Sequence, residues 1–259
     1  MSTVSTEQSQ RTDTRSRTSK KLFAKIIESK DASVPLLREM WHLRLAFLTL
    51  NISEQEDFAK FQDYCTRANT FLITFRDEHK ALQGYYTFMF KPVEHLNKKA
   101  LLIHSKYYYV NTGFRGHPKI TSAGWSILPI ILRRYGLKRM YFVAFTFPSS
   151  FISLSRTFGK VYTIQGENAS DWEKVVLENF AQELNGADWD TQLKLILNQN
   201  IPQGENKTET SKINQLRRQY LQFNPEWEKG RSLPIMMRFD WAMIKSVLST
   251  SMRRKKRTG

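Results

Sequence analysis

The sequence has a single cysteine and no long hydrophobic run. Cys65 alone cannot form an internal disulfide, and one cysteine with five scattered histidines provides no metal-ligand spacing. The longest apolar runs, Ile127–Leu132 and Met140–Phe147, fall far short of the roughly 20 residues that a membrane-spanning helix needs. The first twenty residues have no apolar stretch of the signal-peptide kind. We therefore expect a cytoplasmic protein without a metal site.

Acidic residues are also few. Asp and Glu number 24 against 40 Lys and Arg, which gives a formal net charge of +16. Residues 1–21 hold five basic and two acidic residues, and Arg253–Arg257 adds five basic residues, so these ends account for +3 and +5 and leave +8 on the body. A basic body attracts nucleic acid, an anionic membrane or an acidic protein, although a basic surface that only confers solubility is equally compatible with these charges.

The hydrophobic fraction of 41% supports a real core, and its periodicity predicts the secondary structure. Ser33 is placed to cap a first helix with Pro35 in its first turn. The next elements are a helix over Asp57–Ala68, a hairpin of Thr70–Phe75 and Leu82–Phe90, a strand over Ala100–Val110, a helix around Trp125–Tyr135, a strand over Met140–Thr146, a helix over Ser149–Thr157 and a strand over Val161–Ile164. This order predicts an α/β domain with a mixed sheet covered by helices.

The C-terminal part is predicted to be mainly helical. Its helices are expected over Trp172–Glu183, Asp190–Leu197, Lys212–Gln222 and Arg238–Ser251, with a short strand at Leu233–Met237. The polar segment that begins at Asn200 predicts a linker or long loop. We therefore expect a disordered basic tail over residues 1–20, one domain over residues 21–200 and a C-terminal extension with a basic tail over residues 201–259.

In the segment Tyr107–Gly159, a predicted strand leads into Arg115 and Gly116, and a helix, a turn at Gly136, the strand Met140–Thr146 and the stretch Pro148–Gly159 follow. This order resembles the core of the GNAT acyltransferase superfamily, in which a strand leads into an Arg-Gly-x-Gly-x-Gly turn, a helix, a second strand and a short helix that ends near a glycine. The resemblance implies a mixed, centrally splayed sheet flanked by helices, with a mainly helical C-terminal extension. It also implies an acyl-CoA or acyl-carrier-protein thioester as co-substrate, whose pantetheine arm pairs with the strand before the turn.

The same resemblance assigns the residues that bind this donor. Val110 and Asn111 would border the thioester. The donor's phosphates would lie against the turn, at Phe114, Arg115, Gly116, His117, Lys119 and Ile120. Successive backbone N–H groups at a helix N-terminus form a concave anion site, and glycines let the backbone come close to the anion.

The sequence departs from this family's pattern at four positions. Pro118 and Ile120 replace the second and third glycines, and proline has no N–H to donate. Ser155 stands where the family often has a tyrosine that protonates the departing thiol, and Pro148 stands where it has asparagine. Ser155 is a weak acid for that role. Either the chemistry uses other groups or catalysis has been lost.

Arg44 and His104 are two further candidates. Arg44 interrupts the apolar stripe of the first helix, and an unpaired buried charge is costly. It is either a clamp for a substrate carboxylate or an anchor of the catalytic site, or else a structural arginine; GNAT-like synthases of N-acyl amino acids and acyl-homoserine lactones also have arginine in this region. His104 is either a base that deprotonates an attacking amine or a structural histidine of its strand.

These features predict an acyltransferase that moves an acyl group from a coenzyme A or acyl-carrier-protein thioester to an amine. The alternative is a non-catalytic module of the same fold that binds nucleic acid or an acidic protein through its basic surface. A third hypothesis is an enzyme held at a membrane surface by the basic residues at the C-terminal end.

Overall fold

The computed structural model describes residues 21–136, 139–203 and 210–239. The predicted N-terminal tail, the basic C-terminal run and most of the helix predicted over Arg238–Ser251 lie outside the described residues. The described chain forms two units. The first unit comprises residues 21–46, 58–89 and 107–136, and the second unit comprises residues 47–57, 90–106, 139–203 and 210–239.

The secondary structure alternates between strands and helices along the chain. In order, its elements are β1 (Leu22–Glu28), α1 (Val34–Leu45), β2 (Leu48–Thr49), α2 (Glu54–Thr66), β3 (Thr70–Asp77), β4 (Leu82–His95), β5 (Lys98–His104), β6 (Tyr108–Val110), α3 (Pro118–Trp125), α4 (Leu128–Tyr135), β7 (Arg139–Thr146), α5 (Pro148–Phe158), β8 (Tyr162–Thr163), α6 (Asp171–Asn185), β9 (Trp189–Asp190), β10 (Leu195–Ile196), β11 (Ile201–Pro202), α7 (Ser211–Phe223) and β12 (Leu233–Phe239). None of the helices in the described chain combines the length and the hydropathy needed to cross a membrane.

The first unit contains an antiparallel sheet. Strand β3 pairs with β1 on one side and with β4 on the other, and the part of β4 up to Met89 also pairs with β6. Helix α3 packs on β1 and β3. The cluster of buried side chains beneath it comprises Leu22, Ile73, Phe75, Tyr86, Val110, Phe114, Ile120 and Ala123. These residues come from β1, β3, β4, β6, the turn after β6 and α3, so the packing of this core fixes β6 and the turn that follows it.

The second unit contains a mixed sheet. The C-terminal part of β4 and β5 are hydrogen-bonded neighbours. Strand β5 runs parallel to β7, while β12 is antiparallel to both β7 and β8. Helix α6 packs on β8 and β12, and α5 packs on β7 and α7. The described chain is therefore a mixed α/β structure with helices against its sheets, as the sequence predicts.

Most sequence-predicted elements are confirmed. The Ser33 hydroxyl accepts the N–H of Leu36 at 3.4 Å and so caps α1. Gly159 ends α5 with a φ of 78°, in the left-handed region that favours glycine. The strand predicted at Leu233–Met237 extends to Phe239, so the prediction that a helix begins at Arg238 is wrong for the two residues that the structure describes.

Three other predictions are wrong. The segment Asp190–Leu197 forms the β9–β10 hairpin instead of a helix. The single strand expected over Ala100–Val110 is two strands, because β5 ends at His104 and β6 begins at Tyr108. The single helix predicted around Trp125–Tyr135 is two helices, although the prediction that Pro129 kinks the helix or marks its start is confirmed, since Pro129 lies in the first turn of the second. Strand β1 has no counterpart among the predicted elements.

Candidate functional site

Strand β6 is the short strand that precedes the turn leading to α3. The N–H of Asn111 donates to the carbonyl of Gln83 at 2.9 Å, and the N–H of Thr87 donates to the carbonyl of Tyr107 at 3.0 Å. Hydrogen-bonded and non-hydrogen-bonded pairs alternate along an antiparallel ladder. Val110 lies at a non-hydrogen-bonded position of this ladder, so its N–H and its carbonyl point away from β4. Within the described chain, β6 pairs with no strand other than β4.

A glycine allows this close pairing. A Cβ on Gly84 would lie 2.9 Å from the Tyr109 carbonyl oxygen and 3.1 Å from the Cα of Val110. Real Cβ atoms almost never come this close to backbone, so only glycine lets β6 lie flat against β4 at this point. Gly84 therefore helps to set the position of the outward-facing groups of Val110.

The outward carbonyl of Val110 has a side-chain partner in the turn. Arg115 Nε donates to this oxygen at 3.2 Å. The side chain of Arg115 is exposed. Arg115 stands between a short 3-10 helix, Thr112–Phe114, and Gly116, whose φ of 82° is in the left-handed region. This reversal of the chain brings the guanidinium group back to the edge of β6.

Most backbone N–H groups of the turn between β6 and α3 already have acceptors within the turn. Those that donate to main-chain carbonyls within the turn, at 2.9–3.3 Å, belong to Phe114, Arg115, His117 and Ile120. The N–H of Lys119 donates to His117 Nδ1 at 3.1 Å, and Pro118 has none. Among residues 114–120, all of which the structure describes, the N–H of Gly116 is the one with no protein acceptor. The turn therefore has few backbone N–H groups to offer an anion.

The side chains of the turn divide between the surface and the core. Arg115 and Lys119 are exposed, and His117 is half-buried with its proton on Nε2, because Nδ1 accepts the N–H of Lys119. Phe114 and Ile120 are buried in the core of the first unit. The two basic side chains are therefore the groups of this turn that are best placed to meet a phosphate.

Arg44 lies in the first unit within a group of aromatic rings. Its side chain is buried, with 3% of the residue exposed. The guanidinium carbon is 5.0 Å from the ring centroid of Tyr107 and 5.4 Å from that of Phe61. Tyr107 in turn donates its N–H to the hydroxyl of Thr87 at 3.1 Å. Arg44 therefore stacks on the residue that immediately precedes β6, at a cation–π distance.

Tyr85 is a buried neighbour of this arginine that sequence reasoning missed. Burial raises the pKa of its phenol well above the ordinary value, and Tyr109 raises that pKa further, whereas the positive charge of Arg44 lowers it. The phenol is therefore a neutral hydroxyl at every physiological pH. The sequence shows that Tyr85 lies in a run of aromatic residues, but it does not show that this run lies close to α1.

His104 and Ser155 belong to the second unit. His104 is fully buried, and its ring centroid lies 4.6 Å from that of Phe145 and 5.3 Å from that of Phe180 in α6. Ser155 lies on α5 with 8% of the residue exposed, and its Oγ has no hydrogen-bond partner in the described chain. The structure thus packs His104 against two aromatic rings and leaves the Ser155 hydroxyl available for one hydrogen bond.

The segment around these residues contains no acidic side chain. Between His95 and Gly166 the sequence has eleven Lys and Arg but neither Asp nor Glu. Arg115 and Lys119 in the first unit, and Arg156 and Lys160 in the second, are exposed members of this set. A surplus of positive charge attracts anionic ligands through its long-range field. In the described chain, no three His, Cys, Asp or Glu side chains come together as a metal site would require.

No protein-family model and no curated protein matches the chain. Among solved structures it is similar to an acetyltransferase from Trypanosoma brucei, with a TM-score of 0.39 and 16% identity over 58% of this chain and 100% of that one. A ribosomal-protein-alanine N-acetyltransferase from Brucella melitensis biovar Abortus 2308 gives a TM-score of 0.37 and 16% identity over 59% and 95% of the two chains. An aminoglycoside N-acetyltransferase in complex with CoA gives a TM-score of 0.38 and 10% identity over 52% and 84%. At these values the similarity identifies neither a substrate nor a donor.

Proposed function

We propose that the chain is an acyltransferase of the GNAT type that moves an acyl group from a thioester donor to an amine. The observation that supports this most is the outward-facing backbone of Val110, which is followed by a turn with exposed basic side chains. An amide-containing arm can pair with such an edge as an added strand. Phosphates at the far end of the arm would then lie beside Arg115 and Lys119.

The exposed cations of the turn, Arg115 and Lys119, favour a donor with several negative charges. Coenzyme A has three phosphate groups and meets this requirement. An acidic acyl carrier protein meets it as well, and a finer version of the proposal is N-acylation of a small amine or amino acid by such a donor, in the manner of GNAT-like N-acyl amino acid synthases. Titration with both kinds of thioester is therefore needed to identify the carrier.

The chemistry is a direct acyl transfer. The amine nitrogen attacks the thioester carbonyl, the C–N bond forms and the C–S bond breaks. The attacking nitrogen loses one proton and the departing sulfur takes one up, so the carrier leaves as a thiol. The Val110 N–H polarises the carbonyl and stabilises the oxyanion. Ser155 belongs to the second unit, so we give it no part in the step that we build on Val110. We leave His104 out of the step, because aromatic rings cover it.

The test is calorimetric titration of the purified full chain with acetyl-CoA, longer acyl-CoA thioesters and an acyl carrier protein thioester, with free adenosine diphosphate as a control for charge alone. We expect an acyl thioester to bind with a dissociation constant between about 1 µM and 1 mM. Release of free thiol should then depend on an added amine. Failure of every thioester to bind at about 1 mM would rule the proposal out.

A non-catalytic module is the second candidate, and the consumption of backbone N–H groups in the turn favours it. Such a module would bind nucleic acid or an acidic protein through the same exposed cations. Its affinity for DNA or RNA would fall steeply with rising salt concentration, because released counterions contribute most of the binding free energy. Retention on a heparin column at moderate salt without any thioester binding would select this candidate.

Arg44→Met tests whether Arg44 anchors the site. Methionine keeps much of the buried volume but removes the cation–π contact with Tyr107, so the start of β6 loses one of its constraints. We expect the unfolding temperature to change little, since loss of a buried charge offsets loss of the contact. We expect kcat to fall about tenfold while the donor KM stays close to that of the wild type.

Arg38→Met is the matched control for this variant. Arg38 lies on the same helix with its guanidinium carbon 4.6 Å from the ring centroid of Phe58, but it is exposed. We expect this substitution to leave kcat unchanged. An unchanged kcat in Arg44→Met as well would make Arg44 a structural arginine and no more.

A further inference from the structure

The guanidinium group of Arg115 binds the Val110 carbonyl, which is the acceptor that a strand added to β6 would need. Arg115 Nε donates to the Val110 carbonyl at 3.2 Å. This carbonyl faces away from β4, so it is the acceptor that an incoming amide N–H would use. We propose that Arg115 is a latch, which closes the edge of β6 until an anionic group of the donor draws the guanidinium away. The inference rests on the proposed function.

The chemistry of the two partners favours an exchange. A neutral carbonyl accepts one hydrogen bond from Nε, whereas a phosphate accepts two parallel bonds from a guanidinium group and also pairs with its charge. Arg115 is exposed, and it follows a short 3-10 helix and precedes a glycine. Its side chain therefore moves without repacking of the core. A phosphate-bearing donor would at once gain Arg115 as a ligand and free the carbonyl for its own amide.

The latch also provides selectivity. A thioester without phosphates has to compete with Arg115 for the Val110 carbonyl, and it has no anionic group that could bind the guanidinium. Coupling between two binding events is reciprocal, so an anion that holds Arg115 strengthens the binding of the amide arm. Arg115 is accordingly a positioning residue. When it binds the phosphates of the donor, it leaves the Val110 carbonyl free for the amide arm.

The decisive variant is Arg115→Met, compared with wild type for acetyl-CoA and for S-acetylpantetheine, which lacks phosphates. Binding is followed by titration in nuclear magnetic resonance spectra, which detect millimolar affinities. We expect Arg115→Met to bind acetyl-CoA about fivefold or more weakly and S-acetylpantetheine about fivefold or more tightly than wild type. Inorganic pyrophosphate should strengthen S-acetylpantetheine binding to the wild type and have no such effect on Arg115→Met.

Lys119→Met is the matched control. Lys119 is the exposed cation four residues along, at the start of α3. We expect this variant to bind acetyl-CoA more weakly and S-acetylpantetheine as the wild type does. Circular dichroism spectra and thermal unfolding establish that both variants fold.

The latch is refuted if Arg115→Met binds S-acetylpantetheine no better than wild type while the wild type binds acetyl-CoA. It is also refuted if pyrophosphate weakens S-acetylpantetheine binding to the wild type or leaves it unchanged. If the wild type binds neither thioester in any condition, the proposed function itself fails. The two failures are therefore distinguishable.

Discussion

Val110→Pro is expected to lower the rate of acyl transfer by about 100-fold or more while the fold is retained. Proline removes the N–H of Val110, which points away from β4, and leaves the neighbouring hydrogen bonds to β4 in place. Its fixed φ is compatible with an extended strand, and the restriction that it imposes on the preceding residue favours the same conformation. The loss should therefore appear in kcat, since the N–H acts on the charge that develops at the carbonyl oxygen.

Val110→Ala separates the N–H from the side chain. Val110 is 3% exposed and belongs to the core of the first unit, so both substitutions create a similar loss of packing. Alanine keeps the N–H, and we expect its kcat to remain within about threefold of wild type. The measurement is a thiol-release assay at saturating donor and amine. Equal rates for the two variants would show that the backbone of Val110 takes no part in the chemistry.

The β5–β6 break shows how far the sequence determines this site. The apolar and aromatic run Ala100–Val110 correctly predicted extended structure. The break depends on partners elsewhere in the chain: β5 pairs with β7 as far as His104, and Tyr107 pairs with Thr87. No local property of the intervening residues encodes those pairings, so a single long strand was the natural prediction.

Two other errors have local physical causes. In the segment Asp190–Leu197, the carboxylate of Asp190 accepts the N–H groups of Gln192 and Leu193, and Lys194 adopts a φ of 55°. Such side-chain turns compete with a helix, and the apolar spacing concealed them. Strand β1 was missed because it alternates buried and exposed positions weakly, with Phe23 59% exposed.

The resemblance placed the phosphates against the whole turn, and the structure distinguishes its residues. Phe114 and Ile120 are core residues, while Arg115 and Lys119 are the exposed cations. The sequence already shows that Pro118 removes one backbone donor from this turn. It does not show that His117 caps the Lys119 N–H or that Arg115 reaches Val110, since both depend on how the turn folds back.

Gly230→Ala is expected to destabilise the second unit by about 3 kcal/mol, through both backbone strain and a clash. Gly230 has a φ of 74°, and a Cβ there would lie 2.5 Å from Asn51 Nδ2 and 2.6 Å from the carbonyl oxygen of Gln199. That oxygen already accepts a hydrogen bond from Asn51 Nδ2 at 2.6 Å. The alanine methyl group must displace this bond, which holds the segment Phe47–Asp57 to residues 199–203.

Gly186→Ala isolates the contribution of backbone strain. Gly186 has a φ of 53°, but a Cβ there would meet no atom within 4 Å. Its ψ of −117° lies outside the left-handed helical region, so we expect alanine there to cost about 2 kcal/mol by equilibrium denaturation in urea, measured alongside Gly230→Ala. Hydrogen exchange provides the second readout, because displacement of Asn51 should accelerate exchange across residues 47–57 in Gly230→Ala and not in Gly186→Ala. Similar losses of stability in the two variants, with no change of exchange in residues 47–57, would mean that strain alone acts at Gly230 and that its contact with Asn51 does not hold that segment in place.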